Sequence, residues 1–343
     1  MSKDECLKLN SPSKLNILIT GNRGYIGSAL HRYLVDQYLV KQAIVGKVVG
    51  YDIVDGDDIM DIDRLVSVMK REQITIVIHL AALSSVTACT EQPILATKIN
   101  GTGTRNILQA MAAADCYNII YASTSSVYGN RADLPYKETD LPAPCSAYGS
   151  SKLLGESAIQ DHFEQHGGNY LIYRMFNVVG TSGYPDIDNS VHPGYDRLFG
   201  ALQSGKVTIY GDDYATRDGS CERDYISLKD VCAAYLAGIV QLTTKVDLRS
   251  VVNICTQCPT TVKQIISAWN ECHHKMATTN CESLHKATTH ELSPKITPLI
   301  GERRVGDPAI VYGSNIRAQQ VLRWSPSLKI DDIIRDIVID KKI

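Results

Sequence analysis

The first half of the chain alternates short runs of β-branched residues with segments of helical periodicity. The strand-like segments are Leu15–Thr20, Val48–Asp52, Thr75–Leu80, Asn118–Ser123 and Tyr170–Arg174. The helical segments are Tyr25–Leu34, Ile62–Lys70, Ile94–Met111 and Tyr148–His162. Continuous apolar strands that alternate with helices are typical of a parallel sheet covered on both faces. The pattern therefore predicts an α/β fold with a doubly wound parallel sheet of the Rossmann type.

The alternation stops after Gly180, and residues 181–195 have the composition of a long loop. Strands are then predicted at Val207–Tyr210, Asp224–Ser227 and Val251–Ile254, and helices at Lys229–Gln241 and Val262–Glu271. The polar stretch from His273 to Thr297 has little periodicity and predicts an insertion without regular structure. We expect a Rossmann domain over residues 1–180, with returning segments near 225–260, and a smaller C-terminal domain over 181–343.

Composition excludes several classes of protein. Apolar residues make up 44% of the chain and charged residues 21%, and the net charge is -2 without a basic stripe, so we expect no nucleic-acid partner. The densest apolar stretch, Val231–Val240, is too short to span a membrane, and Met1–Lys14 lacks the apolar core of a signal peptide. Ten cysteines without a secretion signal predict reduced thiols and a cytoplasmic location.

The first strand ends in a glycine motif that predicts a dinucleotide site. Gly21, Gly24 and Gly27 stand in a G-x-x-G-x-x-G pattern directly before a helix, where the backbone can approach a pyrophosphate. The next strand ends at Asp52, whose carboxylate can accept hydrogen bonds from the adenosine ribose and repel a 2′-phosphate. We therefore expect NAD rather than NADP, although Arg23 adds a positive charge to the turn.

A second group of residues predicts acid–base chemistry on an alcohol. Tyr148 and Lys152 are four residues apart and share one face of a helix, so the ammonium can lower the pKa of the phenol. A phenol tuned in this way can serve as a general base. Thr124, at the end of the fourth strand, can bond the same substrate oxygen.

Other combinations of residues carry less weight. Cys255-x-x-Cys258, with Cys272, His273, His274 and Cys281 downstream, has the residue types of a zinc site but no second paired motif, so we expect no metal. His79 lies on an apolar strand and is interpreted as a core histidine with satisfied hydrogen bonds.

The chain resembles the extended short-chain dehydrogenase/reductases that act on nucleotide sugars, and among them the UDP-glucose 4-epimerases. The matching segments are Gly21–Gly27, His79–Ala82, Asn100, Ser123–Thr124, Val127–Gly129, Tyr148 with Lys152, Arg174–Asn177, Tyr210–Tyr225 and Arg304–Asp307. The resemblance implies that residues 1–180 bind NAD, that residues 181–343 bind the nucleotide sugar, and that the enzyme is a homodimer built from two helices of each subunit.

The resemblance also implies roles for individual residues. Those expected to bind the cofactor are Gly21, Gly24, Tyr25, Ile26, Gly27, Asp52, Asp61, Ile62, Ala81, Ala82, Asn100, Tyr148 and Lys152. Those expected to bind the UDP-sugar are Thr124, Asn177, Tyr210, Arg223, Arg304, Asp307 and Val311. The catalytic residues would be Thr124, Tyr148 and Lys152. Val311, four residues after Asp307, would border the substituent at C2 of the sugar; a register shift of one residue would place Tyr312 there.

Three departures from the family pattern are visible. Ser84 stands where the epimerases have lysine, the segment Asn189–Pro193 replaces Asn-Asn-Leu-x-Pro, and Ala122-Ser123-Thr124 replaces three serines.

The expected activity is NAD-dependent epimerisation at C4 of a UDP-hexose through a transient 4-keto sugar. The substrate would be UDP-glucose/UDP-galactose, and the valine at position 311 predicts that the N-acetylhexosamine pair is accepted as well. One alternative is a nucleotide-sugar 4,6-dehydratase or another NAD-dependent nucleotide-sugar enzyme, but Ser125 and Ser126 follow Thr124 where the dehydratases have acids. A second alternative is a non-catalytic NAD-binding scaffold, which has no need of the catalytic trio.

Overall fold

A computed structural model of the chain describes residues 15–38, 45–184, 197–283, 295–304 and 306–340. The strands in these ranges are β1 (Leu15–Thr20), β2 (Val45–Tyr51), β3 (Ile76–His79), β4 (Asn118–Thr124), β5 (Asn169–Met175), β6 (Asn177–Val179), β7 (Thr208–Tyr210), β8 (Glu222–Arg223), β9 (Tyr225–Ser227), β10 (Arg249–Ile254), β11 (Thr260–Thr261), β12 (Leu299–Gly301) and β13 (Ile310–Val311).

The helices are α1 (Tyr25–Tyr33), α2 (Ile62–Arg71), α3 (Val86–Glu91), α4 (Pro93–Ala96), α5 (Gly103–Ala113), α6 (Ala147–His166), α7 (Arg197–Ser204), α8 (Leu228–Thr244), α9 (Val262–Ser283), α10 (Ile316–Leu322) and α11 (Ile330–Asp340). Two single-turn 3₁₀ helices, Ile53–Asp55 and Ser125–Tyr128, follow β2 and β4.

Six strands form one parallel sheet in the order β10-β5-β4-β3-β1-β2. The chain therefore reverses its direction of winding at β1, which lies between β2 and β3. In open parallel sheets, ligands bind outside the carboxyl ends of the strands at such a reversal. The sheet confirms the predicted Rossmann-type fold and directs attention to the turns after β1, β2, β3 and β4.

Both faces of the sheet are buried, which explains the continuous apolar strands of the sequence. Ile17 and Ile19 belong to the hydrophobic cluster on one face, whereas Leu18 between them belongs to the cluster on the other face. This is the alternation that a strand imposes on successive side chains. Buried apolar side chains on each face therefore hold helices against both sides of the sheet.

The chain after Gly180 adds short strands near the carboxyl edge of this sheet. β8 pairs with β11 and β13, β7 pairs with β12, and β6 pairs with β9. β10 then returns to the large sheet beside β5. The boundary of the two predicted domains at Gly180 stays a prediction.

The predicted helical segment Ile94–Met111 is helical throughout, with a π-helical segment, Thr97–Thr102, between α4 and α5. One sequence-based expectation about another region was wrong. The polar stretch from His273 is helical as far as Ser283, because α9 continues well past Glu271. Cys272 and Met276 pack against the core from α9, so tertiary contacts continue a helix whose local periodicity is weak.

Several expectations fall on residues outside the described ranges. These are the tail 1–14, most of the loop 181–195 including Asn189–Pro193, and residues 284–294 of the polar stretch.

Candidate active site

The turn after β1 closes so tightly that its glycines leave no room for side chains. Gly21 has a φ of +75°, and a Cβ at Gly27 would lie 2.0 Å from the Gly21 carbonyl oxygen. No side chain caps the amino end of α1 at Gly24, so its first N–H groups form a suitable site for an anion. Tyr25 and Ile26 fix this helix, Tyr25 by donating a hydrogen bond to the carbonyl of Gly180 over 2.8 Å and Ile26 by packing on the core.

Asp52 is buried at the end of β2 and joins two turns. One carboxylate oxygen accepts a hydrogen bond from the backbone N–H of Arg23 over 2.9 Å, and the other accepts from that of Val54 over 3.1 Å. A carboxylate has about four acceptor positions, so two remain for the hydroxyls of a ribose. The close glycine turn, the uncapped helix and this carboxylate are compatible with an adenine dinucleotide.

Asp61 and Ile62 lie at the start of α2, where Asp61 has a structural task of its own. Its carboxylate accepts a hydrogen bond from the backbone N–H of Arg64 over 2.9 Å and so caps the helix. Asp61 also lines a cavity of about 430 Å³ with Gly50 and Asp57. The cap therefore fixes the Asp61 carboxylate at the start of α2.

The turn after β3 packs directly on the glycine turn. A Cβ at Gly21 would lie 2.7 Å from the backbone nitrogen of Ala81, which is followed by the partly buried Ala82. Asn100 holds the continuation of this turn by accepting a hydrogen bond from the N–H of Leu83 over 2.8 Å and donating one to Ser151 over 2.9 Å. The amide of Asn100 therefore ties the turn after β3 to α6.

His79 has hydrogen-bond partners on both ring nitrogens. Its Nδ1 lies 2.7 Å from the hydroxyl of Thr20, and its Nε2 lies 3.1 Å from that of Thr104. Burial, followed by the charge of Lys152, lowers the pKa of His79 to about 3. This is a neutral core histidine, as the sequence indicated.

The structure brings together Thr124 and Tyr148. The hydroxyl of Ser146 caps α6 by accepting a hydrogen bond from the N–H of Gly149 over 3.1 Å, so Tyr148 lies in the first turn. A Cβ at Gly149 would lie 2.5 Å from the carbonyl oxygen of Ser126, so the helix packs closely on the turn after β4. The Thr124 hydroxyl is near enough to the Tyr148 phenol to influence its pKa.

The expected lowering of the pKa of Tyr148 is wrong for this structure. Burial raises the pKa of Tyr148 to about 12, and the nearby Thr124 hydroxyl acts in the opposite direction without overcoming it. Burial also lowers the pKa of Lys152 to about 7, with Glu156 acting in the opposite direction. Burial of both groups disfavours both charged forms, and the local spacing of Tyr148 and Lys152 does not reveal this.

A buried ion pair lies one turn beyond Lys152. The guanidinium of Arg174 donates to the Glu156 carboxylate, with Nη2 2.7 Å from Oε2 and Nε 3.0 Å from Oε1. Ser123 donates a short hydrogen bond to the same carboxylate. The Lys152 ammonium lies 4.2 Å from the centre of the Tyr121 ring. The lysine is thus held between an aromatic face and the field of a carboxylate.

The residues expected to bind the nucleotide form two pairs. The Arg304 guanidinium lies 3.9 Å from the centre of the Tyr210 ring, and both side chains are exposed. The Arg223 guanidinium is mostly buried and donates to the Asp307 carboxylate over 2.6 Å. Pairing with Asp307 raises the pKa of Arg223 against the opposing effect of burial, so its charge is retained.

Val311 and Asn177 connect this region to the turn after β4. Val311 pairs with Arg223 between β13 and β8, and its side chain packs on a buried cluster that contains Val127 and Tyr128. The N–H of Asn177 donates to the carbonyl of Asp224 over 3.0 Å. The paired strands β8 and β13, which carry Arg223 and Val311, therefore pack on the same buried cluster as the turn after Thr124.

No cluster of three or more His, Cys, Asp or Glu side chains suited to a metal ion occurs in the described residues. Cys255 is buried and Cys258 is exposed. Within the same residues, no helix combines the length and apolar character of a membrane span.

Comparison with known proteins decides the family. The model of the NAD dependent epimerase/dehydratase family matches residues 17–255. The chain belongs to this family. A UDP-glucose 4-epimerase of Halalkalibacterium halodurans is 32% identical over 90% of this chain and 90% of its own length.

Solved structures agree with this family assignment. A UDP-glucose 4-epimerase of Brucella ovis, crystallised in complex with NAD, is 26% identical, covers 95% of this chain and 98% of its own, and has a TM-score of 0.82. A UDP-glucose-4-epimerase of Stenotrophomonas maltophila, with bound NAD and formylated UDP-arabinopyranose, is 26% identical, covers 96% and 98%, and has a TM-score of 0.81.

Sequence reasoning missed two kinds of residue at this site. Glu156 lies four residues after Lys152 on the same helical face, so the i, i+4 spacing contained a usable signal. Asp55 contacts Arg23 through an ion pair between two separate turns, and no local pattern predicts that contact.

The buried ammonium of Lys152 is expected to lower the stability of the fold. Because its pKa is about 7, below the ordinary 10.5, the unfolded chain binds the proton more tightly. The loss of stability caused by the buried ammonium is greatest below about pH 7 and decreases as the pH rises towards 10.5. The variant Lys152→Met should therefore have a higher free energy of unfolding than wild type at pH 7, by a few kcal/mol, and the gap should shrink at higher pH.

Urea denaturation between pH 6.5 and 10 measures this difference. The exposed Lys70 on α2 supplies the control, since Lys70→Met should show no such pH-dependent gap. If Lys152→Met were less stable than wild type at pH 7, or if the difference in their free energies of unfolding did not vary with pH, the buried charge of Lys152 would not be destabilising.

Proposed function

We propose that this protein interconverts the 4-epimers of a UDP-hexose, UDP-glucose and UDP-galactose above all, with NAD as a bound cofactor and a transient 4-keto sugar. The observation that carries the proposal is the placement of Tyr148 in the first turn of α6, which packs closely on the turn after Thr124 at the carboxyl end of β4, with Lys152 one turn further along the helix. The relatives named UDP-glucose 4-epimerase support the same activity.

The turns after β1, β2 and β3 would hold NAD. The first N–H groups of α1 would bind the pyrophosphate, Asp52 the adenosine ribose, and Asp61 with Ile62 would flank the adenine. Ala81, Ala82 and Asn100 would line the remaining path towards Tyr148 and Lys152. When bound, NAD supplies the hydride acceptor and donor for C4 of the sugar, with no net redox change.

Tyr148 would move the proton of the 4-hydroxyl. Thr124, at the end of β4, would bond the same substrate oxygen. Since the pKa of Tyr148 is about 12 here, the phenolate needs a positive charge nearby, and protonated Lys152, one turn further along α6, would supply it. Lys152 therefore acts by stabilising the base form of Tyr148 rather than by attacking the substrate.

The nucleotide end would anchor the substrate while the sugar turns over. The guanidinium groups of Arg223 and Arg304 have the geometry for a diphosphate, and the Tyr210 ring offers an apolar face for uracil. Asn177 and Asp307 would complete the polar contacts with the nucleotide. Anchoring by the nucleotide leaves the hexose free to present either face of C4 to the same tyrosine.

The dehydratase and scaffold alternatives receive less support from the site. Ser126 lies after Thr124, and its hydroxyl accepts a hydrogen bond from the Thr124 hydroxyl over 3.2 Å. A serine does not protonate a leaving hydroxyl well at neutral pH, which a dehydratase requires. A scaffold has no need of a half-buried tyrosine and a buried lysine beside the strand end that carries Thr124.

The exposed face of α3, α4 and α6 would form a homodimer interface. These helices pack together and expose Val86, Ile94 and Leu154, with Ile94 85% exposed. Burial of such side chains against a second copy would remove apolar surface from water. The mass of the protein in solution tests this assignment.

A reducing compartment, the cytosol, fits the cysteines. No disulfide joins the cysteines that the structure describes, and Cys89, Cys116, Cys232 and Cys255 are buried as thiols. Cell fractionation tests this location.

Replacement of Tyr148 by phenylalanine should remove the acid–base group and leave the fold intact. We expect kcat for UDP-galactose to fall by roughly 10²–10⁴-fold, with NAD binding and melting temperature near those of wild type. Tyr117 is exposed and lies just before β4, at the opposite end of the strand from Thr124, so Tyr117→Phe is a control that loses a phenolic hydroxyl without loss of turnover. Turnover of Tyr148→Phe at a rate near wild type would refute the assigned role.

The side chain of Val311 should decide which sugars the enzyme accepts. Valine lacks the bulk of tyrosine, so we expect activity on the UDP-N-acetylhexosamine pair as well as on UDP-glucose/UDP-galactose. Val311→Tyr should lower kcat/KM for the N-acetyl pair by roughly tenfold or more, because overfilling a packed site is costly. The neighbouring Ile310 points to the other face of β13, so Ile310→Tyr should not discriminate between the pairs. A wild-type enzyme inactive on N-acetyl sugars would contradict this assignment.

A further inference from the structure

Arg23 lies in the glycine turn directly before Gly24, and its backbone is fixed to the end of β2. Its N–H donates to one oxygen of Asp52 over 2.9 Å, and the other oxygen of Asp52 accepts from the N–H of Val54 over 3.1 Å. Asp52 therefore sets the distance between the turn after β1 and the 3₁₀ turn after β2. The side chain of Arg23 must leave the turn beside the carboxylate assigned to the ribose.

The guanidinium of Arg23 is bound by Asp55. Its Nε and Nη2 donate to the two carboxylate oxygens of Asp55 over 2.8 and 2.9 Å, in the paired geometry that arginine also forms with phosphate. Both side chains reach solvent, with 58% of the Arg23 and 37% of the Asp55 side chain exposed. An exposed pair of this kind is weak enough for another anion to compete for the arginine.

Asp55 is held in place by backbone bonds rather than by core packing. Its N–H donates to the carbonyl of Asp52 over 2.9 Å, and the N–H of Gly56 donates to that of Ile53 over 3.0 Å. The side chains of Ile53 and Val54 are 66% and 76% exposed, so the turn contributes little to the core. The 3₁₀ turn after β2 therefore positions the Asp55 carboxylate beside the Arg23 guanidinium.

The charges of this group bear on the choice of dinucleotide. A 2′-phosphate, which NADP carries and NAD lacks, brings close to two negative charges to the ribose edge. Asp52 and Asp55 together outweigh the charge of Arg23. Without Asp55, the guanidinium of Arg23 would instead offer paired N–H donors with a geometry suited to that phosphate.

We propose that Asp55 is a specificity-determining residue, which occupies the guanidinium of Arg23 and so makes the site select NAD over NADP. This inference rests on the proposed function, because it places the dinucleotide on the glycine turn. It assigns a role to a residue that is not among the expected cofactor contacts. It also explains why a site for NAD contains an arginine.

Isothermal titration of the purified full chain with NAD and with NADP tests the proposal. The variant Asp55→Asn keeps the shape of the side chain and removes its charge. We expect the Kd for NADP to fall by about tenfold or more, on the scale of a charge-assisted hydrogen bond, while the Kd for NAD changes by less than about threefold. Adding Arg23→Ser to Asp55→Asn should abolish the gain for NADP.

Asp332 supplies a matched control on α11. Its pair with Arg335, at 3.1 Å, has the same side-chain exposures of 37% and 58%, so Asp332→Asn removes one equally exposed charge elsewhere. We expect no selective gain for NADP in this variant, and melting temperatures near wild type in all variants.

The outcomes separate the inference from the proposed function. The role of Asp55 would be overturned if the ratio of the Kd for NADP to the Kd for NAD were unchanged in Asp55→Asn, or if Asp332→Asn gained the same affinity for NADP. In either case, NAD binding by the wild-type protein would still support the cofactor site. A wild-type protein that bound neither dinucleotide would overturn both.

Discussion

The site depends on the parallel alignment of the sheet, which places the carboxyl ends of β1, β2, β3 and β4 on one edge. Residues far apart in the chain become neighbours there without any need for a long loop. The close approach of Gly27 to the carbonyl of Gly21 sets the first of these turns, and Asp52 ties the second turn to it. A larger side chain at Gly21 would push apart the turns after β1 and β3, and one at Gly27 would push α1 away from the turn after β1.

The pKa values of Tyr148 and Lys152 are determined more by burial of these side chains than by pairing with opposite charges. Lys152 and Tyr148 each lose part of their tendency to carry charge, and the buried Glu156–Arg174 pair supplies the fixed charges around them. Removing Glu156 would leave the Arg174 charge buried without its carboxylate, which is costly. The ion pair thus supports a lysine that can bind or release a proton near neutral pH.

Local patterns were enough to predict the sheet, the glycine turn and the capped helix that carries Tyr148 and Lys152. Features that depend on contacts between distant segments were not predicted. The π-helical segment Thr97–Thr102 and the continuation of α9 to Ser283 arise from packing, and the Arg23–Asp55 pair joins two turns. The raised pKa of Tyr148 depends on burial of a group whose spacing alone suggested the opposite.

The central claim is tested most directly by incubating the purified protein, without added reductant, with UDP-galactose that carries deuterium at C4. The account predicts UDP-glucose that retains the deuterium at C4, because hydride leaves and returns within one active site. A 4-keto-6-deoxy product, no 4-epimer, or loss of the deuterium to solvent would contradict it.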